Sequence, residues 1–484
     1  MRLVSVNTIR CVRTMFVLAC LGLTACVAVG PDYVPPVADV PATWSMATDN
    51  QGQAAEPGDL SRWWEEFNDP VLNDLVTDAL TANLDLATAR AQLREARAQR
   101  ALAGSQLGPS VDVATSASRS QSSEESGSGS TSELYSAGFD ASWEADVFGG
   151  LRRGVEAAAA DVDASVESLR DTQVSLVAEV VLNYVDLRTA ERRLSVAENN
   201  IASLSETYRL AGWRLQAGLV SELDVAQART ELESTRASLP ALRTTRAEAR
   251  NRLAVLLGSS PAELGSRLES AGAIPLAERA AAVGIPADIL RQRPDVRAAE
   301  RQLAAQTARL GEAEAERYPS FKLSGSIGLE ALTLSALSNG GAAVYSLLGS
   351  ITAPIFDSGR IRANIETQDA LLEQTRLAYK AAVLTALEDV ENALVAVNNA
   401  GKRRETLTLA ADSARETLQL AEQRYAGGLV DFLTVLDSQR TLLGLEDDLA
   451  SSAGDLAGAQ IQLYKALGGG WSPEPQTEDN RDAS

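Results

Sequence analysis

The stretch YSAGFDASWEADV, residues 135–147, has apolar or alanine side chains at the odd positions and polar residues or glycine at the even ones. Such alternation places one face of a β-strand against an apolar phase and the other face against water. Residues 321–330 alternate in the same way, and residues 110–120 and 345–356 do so more weakly. Strands of about 10 residues with two such faces are typical of transmembrane β-strands. A small soluble sheet on a helical protein gives the same pattern and is the alternative at this point.

A closed barrel needs more strands than this chain supplies. The smallest membrane barrels require about eight strands, whereas the alternating runs predict four. If these strands span a membrane, several chains must therefore share one barrel.

The body of the chain is a duplicated unit. Residues 214–229, RLQAGLVSELDVAQAR, return as residues 424–440, RYAGGLVDFLTVLDSQR, at an offset of 210 residues. The offset persists without gaps from position 85 to position 258, so that Asp85 corresponds to Asp295 and Gly258 to Gly468. Two copies favour two similar halves of one fold over a solenoid.

Each half also contains one very long predicted helix. Residues 155–217 and 361–426 contain no proline and one glycine each, and at about 1.5 Å per residue each run would extend about 95–100 Å. In the first run, residues that are mostly apolar recur at alternating steps of four and three, which is coiled-coil spacing; they are Leu169, Gln173, Leu176, Val180, Asn183, Leu187, Ala190, Leu194, Ala197, Ile201, Leu204, Tyr208, Ala211 and Leu215.

The N-terminus has the features of an export signal. Within residues 1–25, arginines without acidic residues precede an apolar run, Met15 to Leu23, that is too short for a transmembrane helix. The sequence LTAC at residues 23–26 resembles the lipobox of bacterial lipoproteins, in which the cysteine thiol is acylated and becomes the mature N-terminus. We therefore predict lipid attachment at Cys26; the alternative is an ordinary secretory signal with a chance cysteine. No cysteine follows Cys26, which excludes a disulfide framework in the body of the chain.

Composition excludes several classes of function. The net charge of -21 argues against nucleic acid as a partner. The chain has no histidine, which excludes imidazole metal ligands, histidine bases and Ser-His-Asp triads. The carboxylates are spread over helical faces, where solvation explains them. The sequence thus predicts no enzyme, no catalytic residue, no metal site and no cofactor, apart from covalent lipid on Cys26.

Taken in order, the motifs resemble those of the TolC/OprM-like outer-membrane factor family, and in particular its lipidated, NodT-type branch of efflux proteins. The resemblance covers essentially the whole mature chain. Besides the lipobox, the residues that carry it are VGPDYVPP (29–36), ASWEADVFGGLRR (141–153), LRQRPDVRAAE (290–300), APIFDSGRIRANI (353–365) and the two turns AGLV (217–220) and GGLV (427–430).

This resemblance implies a mostly α-helical fold with a membrane β-barrel. Four strands from each of three chains would form a 12-stranded barrel, and the long helices would form a coiled-coil tunnel through the periplasm. The expected division of the chain begins with a lipoprotein signal peptide at 1–25 and a lipidated, extended segment at 26–59. A first repeat follows at 60–258, with strands at 109–121 and 134–148 and long helices at 152–217 and 221–257. After a linking, equatorial segment at 259–285, a second repeat covers 286–468, with strands at 319–331 and 344–356 and long helices at 360–426 and 431–467, and a disordered tail covers 469–484.

The resemblance also implies roles for the two glycine turns. In this family the helix pair at the second turn closes the periplasmic end, which makes Leu433, Asp437 and, more weakly, Asp431 the expected gate residues. Leu433 and Asp437 lie four apart and share a helix face, although coiled-coil packing and solvation explain them equally well from the residues alone. An adaptor protein is expected to contact both turns, through Arg214, Gly218, Leu219, Arg424, Gly428 and Leu429; a helix cap is sufficient to explain the glycines.

The implied function is the outer-membrane channel of a tripartite efflux pump. The implied protein is a homotrimer in the bacterial outer membrane, anchored in its lipid and extending into the periplasm. Its implied partners are a periplasmic adaptor, or membrane fusion, protein and an inner-membrane transporter of the resistance-nodulation-division type. Drugs or other small molecules are the expected cargo, with heavy-metal efflux and type I secretion as alternatives in the family. A lipid-anchored periplasmic coiled-coil scaffold is the alternative from another class of protein.

Overall fold

The computed structural model describes residues 28–37, 40–45, 60–125, 127–268, 272–277 and 286–472. These residues divide into two compact units. The first unit lies within Met1–Val37, Gln92–Ser165 and Ala298–Tyr379, and the second within Ala38–Ala91, Val166–Arg297 and Lys380–Ser484. The predicted signal peptide, including its processing site, and residues 473–484 lie outside the described residues.

The first unit contains one antiparallel sheet in which the strands follow chain order, β1-β2-β3-β4. The strands are β1 (Ser110–Gln121), β2 (Thr131–Ala145), β3 (Ser320–Ala331) and β4 (Ala343–Thr352). β2 and β3 connect the two halves of the chain, since each half supplies one pair of strands. Sequence reasoning therefore located all four strands.

The register sorts the side chains of the sheet onto two chemically different faces. On one face Phe139 lies opposite Ile327 and Trp143 opposite Leu323, and all four of these side chains are exposed. The other face carries cross-strand serine pairs, with Oγ–Oγ distances of 2.9 Å for Ser110–Ser142, 2.8 Å for Ser116–Ser136 and 2.8 Å for Ser326–Ser346. An exposed apolar face of this kind marks a surface that contacts lipid or another protein.

Two strands end differently from the prediction. β2 covers Thr131–Ala145 instead of 134–148, because the Asp146 carboxylate accepts hydrogen bonds from the amides of Leu151 and Arg152, in the first turn of the next helix. β4 covers Ala343–Thr352 instead of 344–356. Pro354 follows it, and proline has no amide hydrogen for a strand ladder.

The helices occur in the same order in each half. The first half contains α1 (Pro70–Ala82), α2 (Leu84–Ser105), α3 (Gly150–Gln216) and α4 (Glu222–Leu256). After the short helices α5 (Pro261–Leu264) and α6 (Pro286–Gln292), the second half contains α7 (Pro294–Ala315), α8 (Arg360–Ala426) and α9 (Phe432–Ala466). The ends of α3, α4, α8 and α9 lie within two residues of the predicted ones. All fourteen residues of the predicted coiled-coil stripe in α3 are buried or half-buried.

The second unit holds the largest hydrophobic core. Its aromatic centre comes from a 3-10 helix, Leu60–Phe67, where Trp63 stacks on Tyr464 with ring centroids 4.9 Å apart. Asp69 caps α1, and its second carboxylate oxygen accepts a hydrogen bond of 2.6 Å from the hydroxyl of Tyr184 on α3. Among the helices of the described residues, none is both long and apolar enough to cross a membrane.

Candidate functional site: the two helix turns

The turn between α3 and α4 is a Schellman motif followed by a new helix cap. The Leu219 amide donates to the Arg214 carbonyl oxygen (2.8 Å) and the Gly218 amide to the Leu215 carbonyl oxygen (2.9 Å), as this motif requires. Gly218 has φ +72°, a backbone conformation that side chains with a Cβ disfavour. Ser221 then starts α4 in a capping box with Asp224.

The turn between α8 and α9 repeats this geometry. The Leu429 amide donates to the Arg424 carbonyl oxygen (2.9 Å) and the Gly428 amide to the Tyr425 carbonyl oxygen (3.0 Å), and Gly428 has φ +69°. A Cβ placed at Gly218 or Gly428 would meet no described atom within 4 Å. Both glycines are thus required by the backbone conformation of the turn and leave open space beside them.

Each turn presents one leucine to solvent. Leu219 is 73% exposed and Leu429 is 77% exposed. The two arginines differ, because the Arg214 guanidinium lies over the Tyr425 ring at 4.4 Å, whereas Arg424 is exposed. The predicted adaptor contacts therefore include two exposed leucines at equivalent positions and two arginines in different surroundings.

A small cluster links the hairpin of the first half to that of the second. Phe432 and Leu436 of α9 pack with Ala211 of α3 and Ala228 of α4, and Tyr425 packs against them with its ring 5.5 Å from that of Phe432. The start of α9 is therefore held against both helices of the first hairpin.

The predicted gate residues separate into two groups. Leu433 is 43% exposed and Asp437 is also exposed, with its carboxylate 3.4 Å from the Arg440 guanidinium. Asp431 instead caps α9, accepting hydrogen bonds from the amide (2.9 Å) and the hydroxyl (2.5 Å) of Thr434. The hydroxyl and amide of Thr434 hold the pKa of the Asp431 carboxyl below its ordinary value. Asp431 thus has a structural role at the second turn that the sequence prediction did not include.

Sequence reasoning missed the ion pair that crosses between α9 and α4. Arg440 donates from Nε (2.9 Å) and Nη2 (2.7 Å) to the carboxylate of Glu231, which is nearly buried. Nearby, Gln439 donates to the Thr207 hydroxyl on α3 (3.0 Å). Periodicity gives no signal for such a pair, because Thr230 and Thr441 occupy the positions that correspond to Arg440 and Glu231 at the offset of 210.

A second candidate site is an open cavity of about 390 Å³ in the second unit, lined by Asp171, Arg293, Asp295, Asp389 and Lys465 among other residues. Arg293 donates to Asp295 (2.6 Å), to Asp389 (3.0 Å) and to the Ala466 carbonyl oxygen (3.0 Å). Burial raises the pKa of Asp171, and the Asp295 carboxylate adds to the effect.

The repeat explains part of this cavity. Asn83 corresponds to Arg293, and its amide donates to the Leu256 carbonyl oxygen (2.9 Å), the counterpart of the bond from Arg293 to Ala466. Arg293 therefore keeps a structural hydrogen bond of the repeat and pairs with the neighbouring carboxylates. Within the described ranges, no group of three His, Cys, Asp or Glu side chains is placed to hold a metal ion.

Comparisons with known proteins agree with this architecture. The family model for outer membrane efflux proteins matches residues 75–259 and again residues 285–469, which reproduces the offset of 210 between the halves. Nodulation protein T of Rhizobium leguminosarum bv. viciae is 32% identical over 96% of this chain and 94% of its own length. The solvent efflux pump outer membrane protein SrpC of Pseudomonas putida is 33% identical over 95% of this chain and 98% of its own. The solved structure of the outer-membrane channel OprN has a TM-score of 0.86 at 37% identity and covers 92% of this chain and 100% of that one.

The sheet with an exposed apolar face and the paired helical hairpins are those of an outer-membrane efflux channel. The chain belongs to the outer membrane efflux protein family. The resemblance predicted from the order of its motifs is therefore confirmed, as are its mostly helical fold with a four-stranded sheet, its place in the outer membrane and its general function in efflux. Members of this family are channels and not enzymes.

Proposed function

We propose that this chain is the passive exit duct of a tripartite efflux pump and that it works as a homotrimer. The supporting observation is the sheet, in which β1 and β4 each pair on one side only among the described residues. An open edge with free amide and carbonyl groups cannot face lipid. Three copies of this sheet would supply 12 strands, which is enough to close a barrel with the apolar face outward.

The two turns are the proposed contact with a periplasmic adaptor. Leu219 and Leu429 are exposed on tight turns, and the open space beside Gly218 and Gly428 allows another backbone to approach closely. An inner-membrane transporter of the resistance-nodulation-division type would supply the energy through this adaptor. The duct itself does no chemistry, and small organic molecules are the proposed cargo, supported by the name of the solvent-pump relative.

The second turn is the proposed gate. In a trimer, Leu433 would form an apolar ring and Asp437 an acidic ring, which exclude water and favour cations respectively. The Arg440–Glu231 pair would hold the α9 hairpin against the first hairpin in the closed arrangement.

Cys26 is the proposed lipid attachment site. The lipobox supports this assignment, and several acyl chains give stable anchoring where one does not.

Conductance of the purified protein in a planar bilayer tests the channel and the gate. We expect small, cation-selective openings that become larger in a variant with Leu433→Ala and Asp437→Ala. The matched control carries Leu223→Ala and Gln227→Ala, at the corresponding positions of the first half, and should conduct like the wild type. Equal conductance in all three proteins would support the proposed duct and would mean that the gate is not formed by Leu433 and Asp437. No conductance from protein that has verifiably inserted would favour the lipid-anchored scaffold.

A further inference from the structure

The N-terminal segment, described from Ala28 onward, belongs to the first unit and lies where β2 meets α3. The Val29 amide donates a hydrogen bond of 3.0 Å to the Phe148 carbonyl oxygen. A few residues later, the Tyr33 hydroxyl donates to the Glu300 carboxylate at 3.0 Å. The segment is therefore held by specific contacts from its first described residues onward.

Arg153, near the start of α3, makes most of the polar contacts to this segment. Its side chain is only 5% exposed. It donates to the carbonyl oxygens of Val29 (3.1 Å) and Gly30 (3.2 Å), and to the carboxylates of Asp32 (2.7 Å) and Glu156 (2.7 Å). A buried guanidinium needs such partners, and three of the four belong to the N-terminal segment.

Three glycines allow the segment to approach the helices. Gly30 has φ +93°, and a Cβ there would lie 2.3 Å from the Cα of Gly311. Gly149 has φ +82°, and a Cβ there would lie 2.6 Å from the Cβ of Ala28. Gly311 lies inside α7, where a Cβ would come within 3.1 Å of both the Val29 carbonyl oxygen and Nε of Arg153.

The second half of the chain shows that the repeat itself does not require these features. At the offset of 210, Arg153 corresponds to Ala363, and Gly311 to Ala101. Gly149 corresponds to Gly359, which keeps a positive φ of +89° but has no described atom within 4 Å of a Cβ placed on it. Only the junction that receives the N-terminal segment carries the arginine and the close contacts.

We propose that Gly30, Gly149, Arg153 and Gly311 form a clamp that fixes the segment after Cys26 and thereby sets the level at which the lipid on Cys26 enters the membrane. The inference rests on the proposed lipidation of Cys26. Ala28 is two residues after Cys26, and two residues span at most about 7 Å. The acylated end is thus tethered closely to the end of β2.

The surroundings of this junction suit a membrane surface. The Phe148 ring stacks on that of Tyr318, with centroids 4.7 Å apart, and lies 6.3 Å from that of Phe321. Of these rings, Tyr318 carries a polar tip, and tyrosine is enriched where a membrane meets water. The clamp therefore places the lipid anchor at the level of the aromatic end of the sheet. Arg153 acts as a positioning residue.

Hydrogen exchange of the Val29 amide, measured by mass spectrometry on the full mature protein in lipid nanodiscs, tests the clamp. We expect slow exchange in the wild type and at least tenfold faster exchange in Arg153→Ala and in Gly311→Ala. Arg153→Lys should give an intermediate rate, because an ammonium group cannot reach all four acceptors. Arg362→Ala, on the exposed start of α8 at the other junction, is the control and should leave the exchange unchanged.

Gly311→Ala is the decisive variant. Alanine is a better helix former than glycine. If Gly311 were only a part of α7, Gly311→Ala would therefore leave the stability of the protein unchanged or higher, with wild-type exchange at Val29. Wild-type exchange in both Gly311→Ala and Arg153→Ala would overturn the clamp, as would fast exchange in the wild type. The mass of the N-terminal peptide reports acylation separately. A protected Val29 in a protein without acyl groups would overturn the lipid part of the inference and the lipidation of Cys26, while the channel proposal would stand on its conductance.

Discussion

Arg440 on α9 and Glu231 on α4 form a two-point ion pair across the two hairpins, with N–O distances of 2.9 and 2.7 Å to one carboxylate oxygen. The arginine is largely exposed and the carboxylate is nearly buried. An exposed pair contributes about 0.2–1 kcal/mol, and removing the partner of a nearly buried carboxylate costs more, because that charge is left unpaired. A contribution of this size is large enough to shift a gate between two arrangements of similar free energy.

We expect Arg440→Ala to increase the frequency of open channels several-fold. The reason is that the hairpin loses a restraint, while the packing of Phe432 and Leu436 remains. Bilayer recordings of Arg440→Ala, Glu231→Gln and the double variant form a cycle. Additive effects of the two single changes would contradict a direct coupling between these side chains.

Asp437→Asn should reduce the preference for cations without enlarging the pore. The amide has nearly the same volume as the carboxylate but removes the charge that an acidic ring would provide. Reversal potentials in a salt gradient measure this preference, with Asp431→Asn as the comparison, since Asp431 is engaged with Thr434. Equal loss of selectivity in both variants would mean that the total charge near the turn matters and the ring does not.

Asp431→Ala should destabilise the start of α9 in a pH-dependent way. The hydroxyl and amide of Thr434 lower the pKa of Asp431 from its ordinary value of 3.8. The carboxylate therefore stabilises the folded protein fully above pH 3.8, and this contribution is lost as the pH falls below 3.8 through the native pKa. Melting temperatures of the wild type and the variant should differ at pH 6 and converge in the acid range. A difference that does not change with pH would contradict the cap.

Replacing Leu219 and Leu429 by alanine should abolish pumping while the channel continues to conduct. Both side chains are exposed, so their loss should not change the stability of the isolated protein. Dye accumulation in cells that express the complete pump measures pumping, and bilayer conductance measures the channel. Leu332, an exposed leucine after β3, is the control position. Normal pumping by the double variant would mean that the two turn leucines do not contribute to the proposed adaptor contact.

Much of the fold can be predicted from local sequence patterns that occur in both halves of the chain. The alternation at 135–147 predicts β2, and the spacing of Leu176, Val180 and Leu187 predicts the buried side of α3, because each pattern depends only on neighbouring residues. Strand ends are harder to predict, since Asp146 binds amides in the first turn of α3 and Pro354 stops the ladder.

The site was less predictable because its contacts join distant parts of the chain. Glu231 meets Arg440, and Val29 meets Arg153, without any periodic signal at either position. A single arginine on a helix is indistinguishable from a solvated one until the packing of its neighbours is known. The two turn glycines could be located by sequence, because a positive φ at a helix end is a local requirement.

Gly258 and Gly218 provide a matched pair for separating backbone strain from crowding. Both follow a helix with positive φ, +62° and +72°. A Cβ at Gly258 would lie 2.4 Å from the Ala82 carbonyl oxygen, whereas one at Gly218 would meet no described atom within 4 Å. Gly218→Ala should therefore cost about 1–2 kcal/mol from the left-handed conformation alone. Gly258→Ala should cost clearly more, because the Ala82 backbone must also move. Melting temperatures of the two variants in the same detergent measure the difference, and equal losses would mean that the backbone around Ala82 yields without cost.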